Sequence, residues 1–306
     1  MKKDLLTIAK LSSTDVTAIL ELAIRHKQMR EQGIVHQPLA GMSLGMIFEK
    51  ASTRTRVSFE VGMYQLGGQA LFLSSNDLQI GRGEPVADTA RVLSRYVDGI
   101  MIRTFAQETV EELAFNASVP VINGLTDMHH PCQALADLLT IQEKKGTLKG
   151  LKLAYIGDGN NVANSLRQAC VKTGIHFSIA CPVGYEMNEA LLNEARAEAA
   201  NNSRIETTTD PYQAVSNADV LYTDVWASMG QEAEHARRVK AFQGFQIDGK
   251  LLKAASPSAL VMHCLPAHRG EEISADVIDG PQSVIFDQAE NRLHAQKALL
   301  EMLMKK

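Results

Sequence analysis

What the sequence has little of narrows the field first. Only four of its 306 residues are cysteine (Cys132, Cys170, Cys181 and Cys264), and no two share a C-x-x-C spacing. A disulfide framework is not expected in a chain of this size. Free thiols suit a reducing compartment, so the expected location is the cytoplasm. No apolar run approaches the length of a membrane span. The first residues, MKKDLLTIAKLSSTD, lack the apolar centre and small-residue cleavage site of a secretory leader. An excess of positive charge is missing too. Lys and Arg number 31 against 35 Asp and Glu, for a formal net charge of -4. The basic residues are dispersed apart from short groups at the termini and near ARRVK, which gives no reason to expect nucleic acid as a partner. The phosphate loop G-x-x-x-x-G-K-[ST], the dinucleotide fingerprint G-x-G-x-x-G and the metalloprotease pattern H-E-x-x-H are all absent. A nucleoside triphosphate site and an NAD-dependent enzyme are therefore not indicated. No clustered cysteine and histidine ligands suggest a metal.

What is there is a rhythm. Strand-like runs alternate with helix-like ones, LGMIFE before RVSFEVGMYQLGG, then QALFL, DGIMIRT, ETVEELAFNA and VPVINGL. After a helix over PCQALADLLTIQEKKG the rhythm starts again at LKLAYIGDGNNV. Further strands are expected at HFSIAC, RIETTT, DVLYTDV, ALVMHCL and SVIFD, and a terminal helix from Ala289 to Lys306. Such alternation predicts an α/β protein with two parallel-sheet domains. The boundary falls near residues 139 to 149.

In open α/β sheets ligands collect beyond the carboxyl ends of the strands. The unusual polar clusters all follow predicted strands: EKASTRTR, RT after GIMI, DMHHPCQ, GDGNN, DVWASMG and HCLPAHRG. Ser52, Thr53, Arg54 and Thr55 combine early helical N–H groups, hydroxyls and a guanidinium, which suits a phosphate. An ordinary capped helix start would look the same. His129 and His130 precede Pro131 at another helix start, with Gln133 one turn in. They suit hydrogen bonding to a ligand, or form an incidental surface pair. Asn161, Asp224, Ser228 and Met229 follow strands of the second half, where the Asp224 carboxylate could meet a cationic amine. Trp226, the single tryptophan, suits packing at least as well as ligand contact. Cys264 is either a buried inert thiol or, beside His263, His268 and Arg269, something more reactive. A covalent step is not required if the substrate is an already reactive phosphorylated carbonyl compound, for which orientation and charge stabilisation suffice.

Taken together, STRTR, HPCQ, GDGNN, DVWASMG, HCLPAHRG and ENRLH occur in the order found in the aspartate/ornithine carbamoyltransferase family, which the chain resembles over essentially its whole length. The resemblance is to the ornithine branch. It implies two Rossmann-like three-layer α/β domains linked by long helices. Residues 1–145 would be a carbamoyl phosphate-binding domain, 146–288 an ornithine-binding domain, and helix 289–306 would return to the first. Ser52, Thr53, Arg54 and Thr55 match the loop for the phosphate of carbamoyl phosphate, Arg103 a second arginine on it, and His130 and Gln133 residues near its carbamoyl group. Arg292 matches a late arginine reaching the same site. Asn161, Asp224, Ser228 and Met229 match ornithine-binding positions, and Cys264 and Leu265 a pair whose backbone carbonyls lie at the reaction centre. Gln79 resembles a position that approaches a neighbouring subunit's site in a trimer. The implied reaction gives citrulline and phosphate in the direction of arginine biosynthesis, with no metal or organic cofactor. A homotrimer, open to further assembly, is implied as well. Sister transferases acting on aspartate, putrescine or N-acetylornithine share the phosphate half, as would a catabolic relative. DVWASMG and HCLPAHRG favour free ornithine. Intact motifs in both halves argue against a non-enzymatic binding protein.

Overall fold

The computed structural model describes residues 4–75, 78–79, 83–199, 203–228, 230 and 232–305. The chain divides into two compact units, Met1–Leu139 with Glu290–Lys306, and Thr140–Ala289. Both crossings fall inside helices, Pro131–Lys145 on the way out and Ile285–Met304 on the way back. The sequence rhythm of two parallel-sheet α/β sets is thus met.

The first unit is built on strands β1 (Ser43–Phe48), β2 (Gln69–Ser74), β3 (Gly99–Arg103) and β4 (Val121–Leu125), all parallel, in the order β2-β1-β3-β4. The central strands β1 and β3 read as almost continuous apolar runs because helices leave neither face to water. Ile47, Ile100, Ile102 and Val121 meet Val110 and Leu113 of helix Gln107–Asn116 in one core. Edge strand β2 keeps Leu71 and Phe72 exposed. The first helix, Ser13–Glu31, is started by a reciprocal cap in which Asp15 N–H donates to Ser12 Oγ (3.1 Å) and Ser12 N–H to Asp15 Oδ2 (2.9 Å).

The second unit carries β5 (Lys152–Ile156), β6 (His176–Ala180), β7 (Ile205–Thr208), β8 (Val220–Thr223) and β9 (Leu260–His263), again parallel, ordered β7-β6-β5-β8-β9. Helix Asn161–Thr173 follows β5 and ends at Gly174, whose φ of 76° is left-handed. Gly159 matters for another reason. A Cβ there would stand 2.5 Å from the backbone nitrogen of Met187, so only glycine lets the loop after β5 close on that segment.

The two strand orders decide where ligands can go. In the first unit the chain leaves β1 for β2 on one side, then returns to β3 and β4 on the other. In the second it runs from β5 outward to β6 and β7, then returns to β8 and β9. The loops after β1 and β3 therefore diverge, as do those after β5 and β8, and each divergence opens a crevice at the carboxyl end of its sheet.

One expected strand is not formed. SVIFD makes a single bridge, Ser283 to Val261, before helix Ile285–Met304 begins, so that helix starts earlier than Ala289. Gln288 N–H already donates to Val284 C=O at 2.8 Å. A three-residue apolar run looks alike in a strand and at a buried helix start, and here the helix wins.

Candidate functional site

The first crevice is lined from three loops and one distant helix. Ser52 caps helix Thr53–Gln65, its Oγ accepting from Thr55 N–H at 3.2 Å. Thr55 Oγ1 also accepts from Arg292 Nη2 at 3.2 Å, and Arg292 Nη1 donates to Gln133 Oε1 at 2.7 Å. Gln133 is fixed in turn by donating to Asp137 Oδ1 at 2.8 Å. Thr55, Gln133 and Arg292 are each about fully buried (1–2% exposed), so these bonds form away from water. Arg103 ends β3, is buried, and donates from Nε to the Lys50 carbonyl at 3.2 Å. Lys50 itself pairs with Asp127 and lies over the Phe105 ring at 4.2 Å. Thr53 is exposed and Arg54 half-buried.

His130 sits buried at the start of helix Pro131–Lys145. Burial, then the positive charges of Arg292, Arg103 and Arg54, hold its pKa well below the ordinary imidazole value. The three guanidinium groups come from the first turn of helix Thr53–Gln65, the end of β3 and the terminal helix.

The second crevice is organised by a carboxylate. Asp224 follows β8, is buried, and accepts from Cys264 Sγ (3.0 Å) and Val225 N–H (2.8 Å) on Oδ1. Its Oδ2 accepts from Asn160 Nδ2 at 2.8 Å. Asn160 caps helix Asn161–Thr173, accepting from Val162 N–H (3.0 Å) and Ala163 N–H (3.1 Å). Asn161 occupies the first helical position, half-buried. Cys264 is part-exposed rather than buried away, and all four cysteines are free thiols. Leu265 has a φ of 59°, a turn held by its N–H donating to His263 Nδ1 at 2.9 Å. With Nδ1 accepting, the His263 proton sits on Nε2 and points at Glu272 Oε1, 3.0 Å away in a fully buried pair.

Ser228 is half-buried in the loop after β8, and Met229 lies outside the described residues. Trp226 settles on the packing side of its two readings, buried and stacked on Phe242 at 5.6 Å. Its carbonyl accepts from Arg238 Nη1 at 2.9 Å, and the same guanidinium pairs with Asp158 at 2.6 Å. Gln79 is exposed in the loop beyond β2. The sequence reading passed over Asn160, Glu272 and Arg238. Asn160 carried a signal, since Asn before a helix is a preferred cap. Glu272 and Arg238 carried none, because the partners that matter here, His263 for one and Asp158 with the Trp226 carbonyl for the other, lie outside any helical or strand spacing.

Fold and sites together define a two-unit α/β protein with a basic, hydroxyl-rich crevice in one sheet and a carboxylate–thiol crevice in the other. A family model described as "Aspartate/ornithine carbamoyltransferase, carbamoyl-P binding domain" matches residues 3–143, and its "Asp/Orn binding domain" counterpart matches 149–303. The chain is 59% identical over 304 residues to an ornithine carbamoyltransferase of Syntrophus aciditrophicus, covering 99% of this chain and 100% of that one. Among solved structures, the ornithine carbamoyltransferase from Pyrococcus furiosus superposes with a TM-score of 0.96 at 56% identity, over 98% of this chain and 96% of the other. An anabolic ornithine carbamoyltransferase from Campylobacter jejuni gives 0.92 at 41% identity, over 99% of both chains. The chain belongs to the aspartate/ornithine carbamoyltransferase family.

The low pKa of His130 has a consequence for stability. The folded ring stays neutral at the ordinary value of 6.5, where the unfolded ring begins to take a proton. Its contribution is therefore intact above 6.5 and is lost as pH falls from there toward the folded value. His26 and His294, the latter lowered to about 4, act in the same direction. The difference between wild type and His130→Asn isolates one ring. Urea unfolding at neutral and mildly acid pH should show a smaller acid loss in His130→Asn, and equal losses would contradict a neutral buried His130.

Proposed function

We propose that the protein is an ornithine carbamoyltransferase, converting carbamoyl phosphate and L-ornithine into L-citrulline and phosphate. The observation that carries this reading is the buried hydrogen-bonded link from Thr55 through Arg292 to Gln133, in a chain that both domain models of this family match. In the proposal residues 1–145, with the terminal helix, bind carbamoyl phosphate, and 146–288 bind ornithine. The arginine-biosynthetic direction is favoured by the likeness to the anabolic Campylobacter jejuni enzyme.

The chemistry asks little of the protein beyond placement and charge. The δ-amine of ornithine, once neutral, attacks the carbamoyl carbon. A C–N bond forms, the C–O bond to phosphate breaks with its electron pair leaving on phosphate, and the proton lost by the amine ends on that phosphate. In the proposal Ser52, Thr53, Arg54 and Thr55 hold the phosphate, with Arg103 and Arg292 offsetting the charge that grows on it. Neutral His130 donates to the carbamoyl oxygen, and Gln133 keeps Arg292 aimed. Asp224 attracts the ornithine cation, and Asp224 with Cys264 orients the amine and takes part in its deprotonation. The backbone carbonyls of Cys264 and Leu265 sit at the reaction centre, while Asn161, Ser228 and Met229 read the amino-acid end.

We further propose a homotrimer. Val57 of helix Thr53–Gln65 and Leu71 and Phe72 of edge strand β2 are exposed together, with the Arg56 guanidinium 3.9 Å over the Phe72 ring. An open apolar edge invites a second copy. Gln79, on the loop that follows β2, would then reach a neighbour's site. Light scattering should give about three times the chain mass of 33.4 kDa. Phe72→Glu should lower it, and a wild-type mass of one chain would end the trimer proposal.

The direct test is citrulline formation from carbamoyl phosphate with ornithine, beside aspartate, putrescine and N-acetylornithine. Only ornithine should turn over, because putrescine and N-acetylornithine lack the carboxylate or the free α-amine that Asn161 and Ser228 would pair with, and aspartate has no side-chain amine. Asp224→Asn should cut kcat/KM by about 100-fold or more. Turnover with another acceptor would leave the phosphate half standing and overturn the ornithine assignments.

A further inference from the structure

Away from both crevices, three ligand-type side chains of the first unit converge. His26 belongs to helix Ser13–Glu31, His36 to the segment between that helix and β1, and Glu301 to helix Ile285–Met304. Both imidazole Nε2 atoms stand 2.8 Å from the same oxygen, Glu301 Oε2. The two rings are 5.4 Å apart, and the three ligand atoms all lie within 4.8 Å of one another. His26 is 1% exposed, whereas His36 keeps a third of its side chain open to solvent, which gives the group a way in. The other carboxylate oxygen, Oε1, is taken by Lys305 at 3.2 Å, which leaves Oε2 as the shared corner.

We propose that His26, His36 and Glu301 form a binding site for a divalent transition-metal ion of the zinc type, with a solvent molecule as fourth ligand. Two nitrogens and a carboxylate oxygen are a donor set that zinc favours, and three protein ligands plus water complete a tetrahedron. Donors on one tetrahedral zinc ion lie roughly 3.3 Å apart, so the 2.8 Å pairs must open by only a few tenths of an ångström. The Lys297 and Lys305 ammonium groups oppose a second cation, so the affinity should fall short of a closed structural site. A bound ion would join the first helix, the segment after it and the terminal helix at one point.

The second unit offers a rival cluster in Asp224, His263 and Cys264. There the His263 Nδ1 lone pair is already occupied by Leu265 N–H and its Nε2 faces Glu272. The test must tell the two apart. The purified full-length chain, stripped by a chelator, is titrated with Zn2+ and with Mg2+ against a competing dye, and with Co2+ by absorption. Zn2+ should bind one equivalent far more tightly than Mg2+ and raise Tm. His36→Gln should lose affinity by about 100-fold or more, since removing even an outer partner of a ligand costs up to that much. Cys264→Ser should leave the titration unchanged. X-ray absorption of the wild-type zinc complex, which needs no variant, should show nitrogen and oxygen neighbours only. No zinc binding, undiminished binding by His36→Gln, or a sulfur neighbour with a thiolate–cobalt band would each overturn the site.

Discussion

Positive charge held out of water is the constraint around which the first unit is organised. Arg103 and Arg292 are buried, Arg54 is half-buried, and all three act on His130. Isolated buried cations are expensive, and like charges in one place more so. The structure meets the cost in two ways. It gives the guanidiniums neutral acceptors, with Thr55 and Gln133 for Arg292 and the Lys50 carbonyl for Arg103. It also keeps His130 neutral, so that the ring adds no further charge. The remaining excess is what the proposed phosphate group would offset. On this view the return of the last helix is chemical as well as architectural, because it delivers Arg292 to a crevice whose other members come from the first half of the chain.

The second unit handles the opposite sign with similar economy. A single buried carboxylate, Asp224, is held by Asn160, by its own next N–H and by the Cys264 thiol. Asn160 is also the cap of the helix that follows β5, so the start of that helix and the carboxylate are positioned together. The His263–Glu272 pair supports the turn at Leu265 from beneath, since one ring nitrogen accepts the Leu265 N–H and the other meets buried Glu272. Neither unit places its polar residues at random. Each set gathers at the carboxyl ends of its strands, after β1, β3 and β4 in one sheet and after β5, β8 and β9 in the other.

This dependence on strand ends explains why so much was legible in the sequence. Parallel strands buried on both faces are apolar runs, and the polar residues that interrupt them mark the ends of the strands, so STRTR, DVWASMG and HCLPAHRG stand out by position alone. The helix starts at Thr53 and Pro131 were readable from hydroxyls and proline. The strand expected at SVIFD was not formed, because three apolar residues do not separate a strand from a helix start. Long-range partners were out of reach as well. Nothing local announces that Thr55 will accept from Arg292, that Glu272 will meet His263, or that Arg238 will hold the Trp226 carbonyl. The convergence of His26, His36 and Glu301 was equally hidden, since each of the three looks like an ordinary surface residue in its own segment.

The central claim of the proposal is that the guanidiniums and hydroxyls of the first unit hold the phosphate of carbamoyl phosphate. Calorimetric titration of the full-length chain with carbamoyl phosphate in the absence of ornithine addresses it most directly, with Arg292→Gln run alongside. The account predicts saturable binding to wild type that weakens with salt, and about a 100-fold loss in Arg292→Gln, the cost of removing a buried charged hydrogen-bond donor from an anion. Equal affinity in the two proteins would show that the anion is held elsewhere and would contradict the account.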